Sequence, residues 1–319
     1  MGILNIFGSG DRITAPKDLP VVKLAVIGTS SAGKTYLLNA IHRLIFGGIP
    51  LKNGLRIGAL SAEDTTVKFN EIEGNIRLMQ KMPLPSTAVK YDFDFMLWHQ
   101  VKPALHVVYH DNVGQILTDD DPKRNPSRND FLKIISHANV VWLLLPMQVD
   151  KGGKYLGINH KDILLASGYL TDALQNRTSR SPLAFAIVLT KADVLEDLER
   201  EETKQELQSL HATLKASFDW LIGCDFISAA ALFPISTLGF GNTQLFSNSD
   251  SSDEVGTYTL LSNDLKPYNV GKLLLWSLSC ACFQNVSSST TKVDDILTRE
   301  ILNNLQQLEG LVYVLKGGH

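Results

Sequence analysis

The sequence predicts an α/β fold: a mostly parallel six-stranded sheet with one antiparallel hairpin strand, helices on both faces, and a helical extension at the C-terminus. Three observations predict it. Short apolar runs alternate with stretches of helical period, the pattern of strands joined by crossover helices. A glycine-rich turn joins the first run to the first such stretch. Two later strand-like segments, 91–97 and 104–110, are separated by six residues, too few for a helical crossover, so they must pair antiparallel.

Residues 21–27 are apolar and end at Gly28, as a buried parallel strand does. A helix is expected over 33–46, with Leu37, Leu38, Ile41, Leu44 and Ile45 on one face and Gly47-Gly48 ending it. Ser61 and Asp64 form a capping box for another helix, lined by Phe69, Ile72, Ile76 and Met79. After the hairpin come strands at 139–145, 183–189 and 232–235, with a charged helix over 195–221. Residues 240–264 are polar and read as a loop or small hairpin. A buried helix is expected over 270–283. A final amphipathic helix is expected over 293–315, with Gly310 inside it. Its Ile301, Leu305, Leu308, Val312 and Leu315 approach heptad spacing; packing onto its own domain is the preferred reading, and an oligomer seam the other. These limits divide the chain into an N-terminal flexible arm (1–18), a nucleotide-binding domain (19–285), and a linker with the C-terminal helix (286–319).

With 319 residues, 44% of them hydrophobic and 20% charged, the chain has the makings of a globular core. A net charge of -3 offers no general attraction to nucleic acid. No apolar run approaches the ~20 residues of a membrane-spanning helix, and no signal-peptide pattern opens the chain. Three cysteines, an odd and sparse set, fit a reducing cytoplasm, and Cys280 and Cys282 lie among residues that read as helix core rather than metal ligands.

Gly28-Thr29-Ser30-Ser31-Ala32-Gly33-Lys34-Thr35 fits G-x-x-x-x-G-K-[ST] throughout. Such a loop, a P-loop, wraps a phosphate with successive backbone N–H groups, and the glycines permit the turns. The following helix adds its positive end, Tyr36 included. Lys34 reaches the outer phosphates and the Thr35 hydroxyl suits Mg²⁺. Asp111-Asn-Val-Gly114-Gln115 follows the 104–110 strand. A carboxylate at Asp111 suits Mg²⁺ opposite Thr35, and the Gly114 N–H can approach a γ-phosphate because no side chain intervenes. Thr190-Lys191-Ala192-Asp193 follows the 183–189 strand. An ionised Asp193 can accept two hydrogen bonds from the guanine edge, each worth about 1.5–3 kcal/mol, and Lys191 can lie along the base.

Taken in this order, each motif behind a strand, these segments resemble the Ras-like, translation-factor-related P-loop GTPases, over roughly 21–283. The resemblance implies GTP and GDP as ligands, Mg²⁺ as cofactor, and slow hydrolysis with partner surfaces that switch. It implies that Gln115 positions the attacking water and that Thr87 closes over Mg²⁺, with Thr65 and Thr66 as rivals. It also implies that Ser236 and Thr237 steady the guanine, although the family usually has alanine at Thr237. No arginine is visibly placed as a finger in cis, although Arg124 and Arg128 are nearby. Ser30 stands where Ras-like proteins commonly have glycine. Enlarged segments at 54–83, 119–129 and 240–264 also resemble the bacterial double-GTPase families.

The reading is therefore a cytoplasmic regulatory GTPase acting on unidentified effector or regulator proteins. Two alternatives remain: a P-loop ATPase or kinase in which Thr190–Asp193 is fortuitous, and a GTP-locked scaffold that does not hydrolyse.

Overall fold

The computed structural model describes residues 18–29, 32–47, 51–59, 74, 92–111, 127–150, 155–175, 177, 182–195, 198, 200–246, 257–261, 265–288 and 295–317. Its strands are β1 (Val21–Gly28), β2 (Leu55–Ala59), β3 (Asp92–His99), β4 (Lys102–Asp111), β5 (Val140–Val149), β6 (Tyr155–Ile158), β7 (Leu183–Thr190), β8 (Ile227–Pro234), β9 (Thr243–Phe246), β10 (Thr257–Leu260) and β11 (Tyr313–Lys316). Its helices are α1 (Lys34–Gly47), α2 (Ser127–Ser136), α3 (His160–Gln175), α4 (Glu201–Ser217), α5 (Asp219–Ile222), α6 (Val270–Ser288) and α7 (Asp295–Gln307).

Among the described residues nine strands form one sheet, in the order β11-β8-β7-β5-β1-β4-β3-β2, with β6 paired to the far end of β5. The centre, β8-β7-β5-β1-β4, is parallel throughout. Antiparallel strands flank it: β3 and β2 on one side, β11 on the other. The expected hairpin is β3–β4, closing at His99 opposite Lys102. Strands β9 and β10 make a separate hairpin within the polar stretch.

Period-two alternation along the central strands separates two cores. On one face Val22, Leu24, Val26, Trp142, Leu144, Ala186 and Val188 meet α1, α6 and α7. On the other, Ala25, Ile27, Val141, Leu143, Phe185 and Ile187 meet α2, α3, α4 and α5. Helix α6 is apolar nearly all round because it lies inside, and its Ser277 hydroxyl accepts from the Trp142 indole N–H at 2.8 Å.

Three expectations need correction. Among the described residues the sheet has nine strands rather than six. Strands β2, β6 and β11 are four or five residues long, too short to establish a period against glycines such as Gly58 and Gly157. The terminal helix stops at Gln307 instead of running to 315, and β11 joins the sheet beside β8. Gly310 explains the break: its φ is 136°, and an added Cβ would overlap the Asn269 side chain. Helices α2 and α3 have no counterpart among the elements expected from the sequence. The charged helix begins at Glu201, after a 3₁₀ turn at Ala192–Leu195.

The buried residues of α7, including Leu297, Ile301 and Leu305, join the core beside α6 of the same chain. Of the predicted helix near 61–79 only residue 74 is described, so its extent lies outside the described residues.

Candidate functional site

Parallel strands deliver their C-terminal ends to one edge of the sheet, the usual place for a site in such folds. Here β1 delivers Gly28, β4 delivers Asp111, β7 delivers Thr190, and β8 delivers Ile235 and Ser236.

At the end of β1 the two glycines serve different needs. A Cβ on Gly28 would lie 2.9 Å from the Ala32 Cβ and 3.1 Å from the Leu144 Cβ, so the position is glycine for want of space. Gly33 has φ 83°, a left-handed conformation that side chains resist. Helix α1 starts directly behind it. The first N–H groups of any helix lack intrahelical acceptors, which makes this end suited to an anion. The Lys34 ammonium lies buried in the loop and donates to the carbonyls of Gly28 (2.8 Å) and Thr29 (2.9 Å). Burial extends up α1, where it pushes the Tyr36 phenol well above its ordinary range.

The segment after β7 is fastened to this loop. The buried Thr190 hydroxyl donates to the Ala32 carbonyl at 2.8 Å. Lys191 follows in a left-handed conformation, φ 61°, uncommon for a residue with a side chain. Crowding by surrounding protein lowers its pKa, while the charges of Asp193 and Asp162 raise it. Asp193 is the second residue of the 3₁₀ turn, which Ala192 opens.

The segment after β8 runs alongside. Ala192 donates its N–H to the Ile235 carbonyl, and Ile235 donates to the Leu189 carbonyl. Ser236 is fully buried, and its hydroxyl accepts the Gly239 N–H at 2.8 Å. Thr237 is buried beside it. Tyr268 pairs with Ser236, and Asn269 donates to the carbonyls of Pro234 and Leu311, so α6 and the C-terminal segment brace this turn.

Asp111 closes β4 in register with Val26 of the neighbouring β1, which puts it at the sheet edge that carries Gly28. Thr35 stands in the first turn of α1. Oxygen donors from these two residues are the set a hard divalent cation takes. Ser30, Ser31, Thr87, Gly114 and Gln115 lie outside the described residues, as do Thr65, Thr66 and Arg124. Arg128 belongs to α2, where it meets the Asp172 carboxylate at 3.1 Å and lies over the Tyr169 ring.

Gathered at one edge, then, are a glycine loop with a buried ammonium, the segment carrying Asp193, and the Ser236 turn. Helix N–H groups and an ammonium thus stand at one end of the set, and an acidic residue and a buried turn at the other. No protein-family model and no curated protein sequence matches the chain. Among solved structures it is similar to the crystal structure of the S. cerevisiae Ski7 GTPase-like domain bound to GTP, with 15% identity and a TM-score of 0.42. The match covers 74% of this chain and 48% of that one, so the chain spans about half of that structure's length.

Two residues of this edge escaped the motif reading. Thr29 is a variable position of the glycine motif, yet it acts on Asp162 in the first turn of α3, whose pKa burial raises and Thr29 lowers. A signal for α3 was present: Asn159 accepts the Lys161 N–H through its side chain, the mark of an N-cap, and Asp162 follows three positions on.

Proposed function

We propose that the chain is a guanine-nucleotide-binding regulatory GTPase, hydrolysing GTP to GDP and phosphate and changing its protein partners as it does so. The observation that carries this reading is the hydrogen bond from Thr190 to Ala32, because it fastens the segment bearing Asp193 to the glycine loop.

In this reading the backbone N–H groups from 28 to 36 enclose the β-phosphate, and Lys34 exchanges its loop carbonyls for phosphate oxygens. Asp193 accepts from guanine, Lys191 lies along the base, and backbone N–H groups of the Ser236–Thr237 turn steady it. Mg²⁺, when bound by Thr35, Asp111 and Thr87, neutralises charge on the outer phosphates. Gly114 donates its N–H to the γ-phosphate and Gln115 orients the attacking water. Arg128 is held by Asp172 and Tyr169, so it is not assigned as a finger, and intrinsic turnover is slow, on the order of 10⁻⁴ to 10⁻² per second. Three free thiols fit a cytoplasmic setting, and among the described residues no helix is long and apolar enough to cross a membrane.

Single-turnover hydrolysis of GTP with Mg²⁺ tests the proposal, with Gln115→Leu as the comparison. The expected result is slow phosphate release that the variant slows further with affinity retained. No release from the unmodified protein, even with its partner, would leave a nucleotide-locked scaffold instead.

A further inference from the structure

The turn that the proposed function sets against the base is held from behind by two neighbouring residues, Tyr268 and Asn269, just before α6. Tyr268 donates its N–H to the Ser236 carbonyl at 2.8 Å. The Asn269 side-chain amide donates to the Pro234 carbonyl at 3.0 Å and to the Leu311 carbonyl at 2.7 Å. Leu311 lies between α7 and β11, and its N–H donates to the Tyr268 hydroxyl at 3.1 Å. Resting on the guanine-nucleotide reading above, we infer that Asn269 is a positioning residue, which sets the Ser236–Thr237 turn and the Asp193 segment at the spacing a guanine requires.

Asparagine directly before a helix ordinarily caps it through the side-chain oxygen. Asn269 does not. Among the described residues its Oδ1 accepts no hydrogen bond, and the amide nitrogen is turned onto carbonyls of two other segments. The residue is buried, with φ 65°, a left-handed conformation that asparagine tolerates better than most side chains. Two donors on one short planar group suit a position that must satisfy two carbonyls. Lys272 adds a further tie to the same segment by donating to the Gly310 carbonyl at 2.9 Å.

The hold reaches both segments proposed to meet the base. Ile235, the residue after Pro234, donates to the Leu189 carbonyl and accepts the Ala192 N–H, so the backbone beside Asp193 follows the end of β8. Ser236 comes next, and Tyr268 holds its carbonyl. Lys34 bonds instead to Gly28 and Thr29, at the phosphate end. Loss of the Asn269 amide leaves two carbonyls without this donor, which loosens the end of β8 while the glycine loop keeps its own bonds.

The test is displacement of a fluorescent GDP derivative from the full chain by unlabelled GDP and by ADP, for Asn269→Gly and Tyr268→Phe. Glycine keeps the left-handed backbone and removes the amide. Phenylalanine keeps the ring that meets Phe240 and removes only the hydroxyl. Asn269→Gly is expected to lose about tenfold in GDP affinity, the scale of one or two neutral hydrogen bonds, with ADP affinity unchanged. The preference for GDP over ADP thus falls about tenfold, and in Tyr268→Phe about threefold. A purely structural role would weaken GDP and ADP alike, and that result overturns the inference. Should the glycine variant not fold, Tyr268→Phe decides alone, and an unchanged preference there overturns it. An unmodified chain that takes up GDP no better than ADP overturns the guanine reading itself, whereas a preference that survives both substitutions overturns only the role of Asn269.

Discussion

The Thr190 hydroxyl donates to the Ala32 carbonyl at 2.8 Å, joining residues 158 positions apart in a buried contact. Threonine at the end of β7 therefore does more than begin a base-reading motif: it fixes the distance between that motif and the glycine loop. Thr190→Val keeps the shape and leaves the Ala32 carbonyl unsatisfied, at a cost of about 1–3 kcal/mol. Urea unfolding is expected to show that loss, with weaker GDP binding, while Thr190→Ser restores both. Equal stability for the valine variant would mean that the bond contributes nothing to the junction.

Lys34 makes a separate prediction. It satisfies two loop carbonyls, so Lys34→Ala removes both bonds as well as the charge for phosphate. Isothermal titration is expected to show at least a hundredfold loss of GTP affinity, about 2.7 kcal/mol or more. Retention of tight binding would contradict the phosphate cradle.

The central strands were readable because each is an apolar run buried along most of its length; β1 closes on Gly28 and β7 on Thr190, while β5 carries Pro146 and runs on to Val149. Gly28 through Thr35 was readable because the lack of space at Gly28 and the left-handed backbone at Gly33 constrain positions close together. Helix α3 was not, since the Asn159 side chain that caps it stands alone ahead of a run that mixes Ala, Gly, Ser and Thr with its leucines. Strand β11 was hidden for a different reason: Leu308, Val312 and Leu315 continue the helical period of α7, and only the conformation of Gly310 and its fit against Asn269 end the helix.

His42 in α1 gives a pH dependence. Burial, then the neighbouring Arg43, lowers its pKa from 6.5 to about 4. The folded state thus favours the neutral ring, and its contribution to stability is present above pH 6.5 and lost as pH falls toward about 4. For a partly buried ring the effect is on the order of 1–2 kcal/mol. Melting temperatures measured from pH 7 to pH 4.5 are expected to fall less for His42→Gln than for the unmodified chain. Parallel curves would assign the acid sensitivity elsewhere.

Cys280 and Cys282 lie in α6, where burial pushes both thiols up to about 12. Little thiolate exists at neutral pH in such a setting. Alkylation by iodoacetamide is expected to be slow at both positions until the chain is unfolded, as peptide mapping would show. Rapid labelling of Cys282 in the native protein would contradict its place in the core.

Base recognition remains the decisive matter, since Asp193 alone separates a guanine site from a general nucleotide site. The direct measurement is displacement of labelled GDP by unlabelled GTP, ATP and XTP, from the unmodified chain and from Asp193→Asn. The account predicts that GTP displaces at least a hundredfold better than ATP, the scale of two charge-assisted bonds, and that the variant shifts its preference toward XTP. Equal displacement by ATP and GTP, with no change in Asp193→Asn, would contradict it.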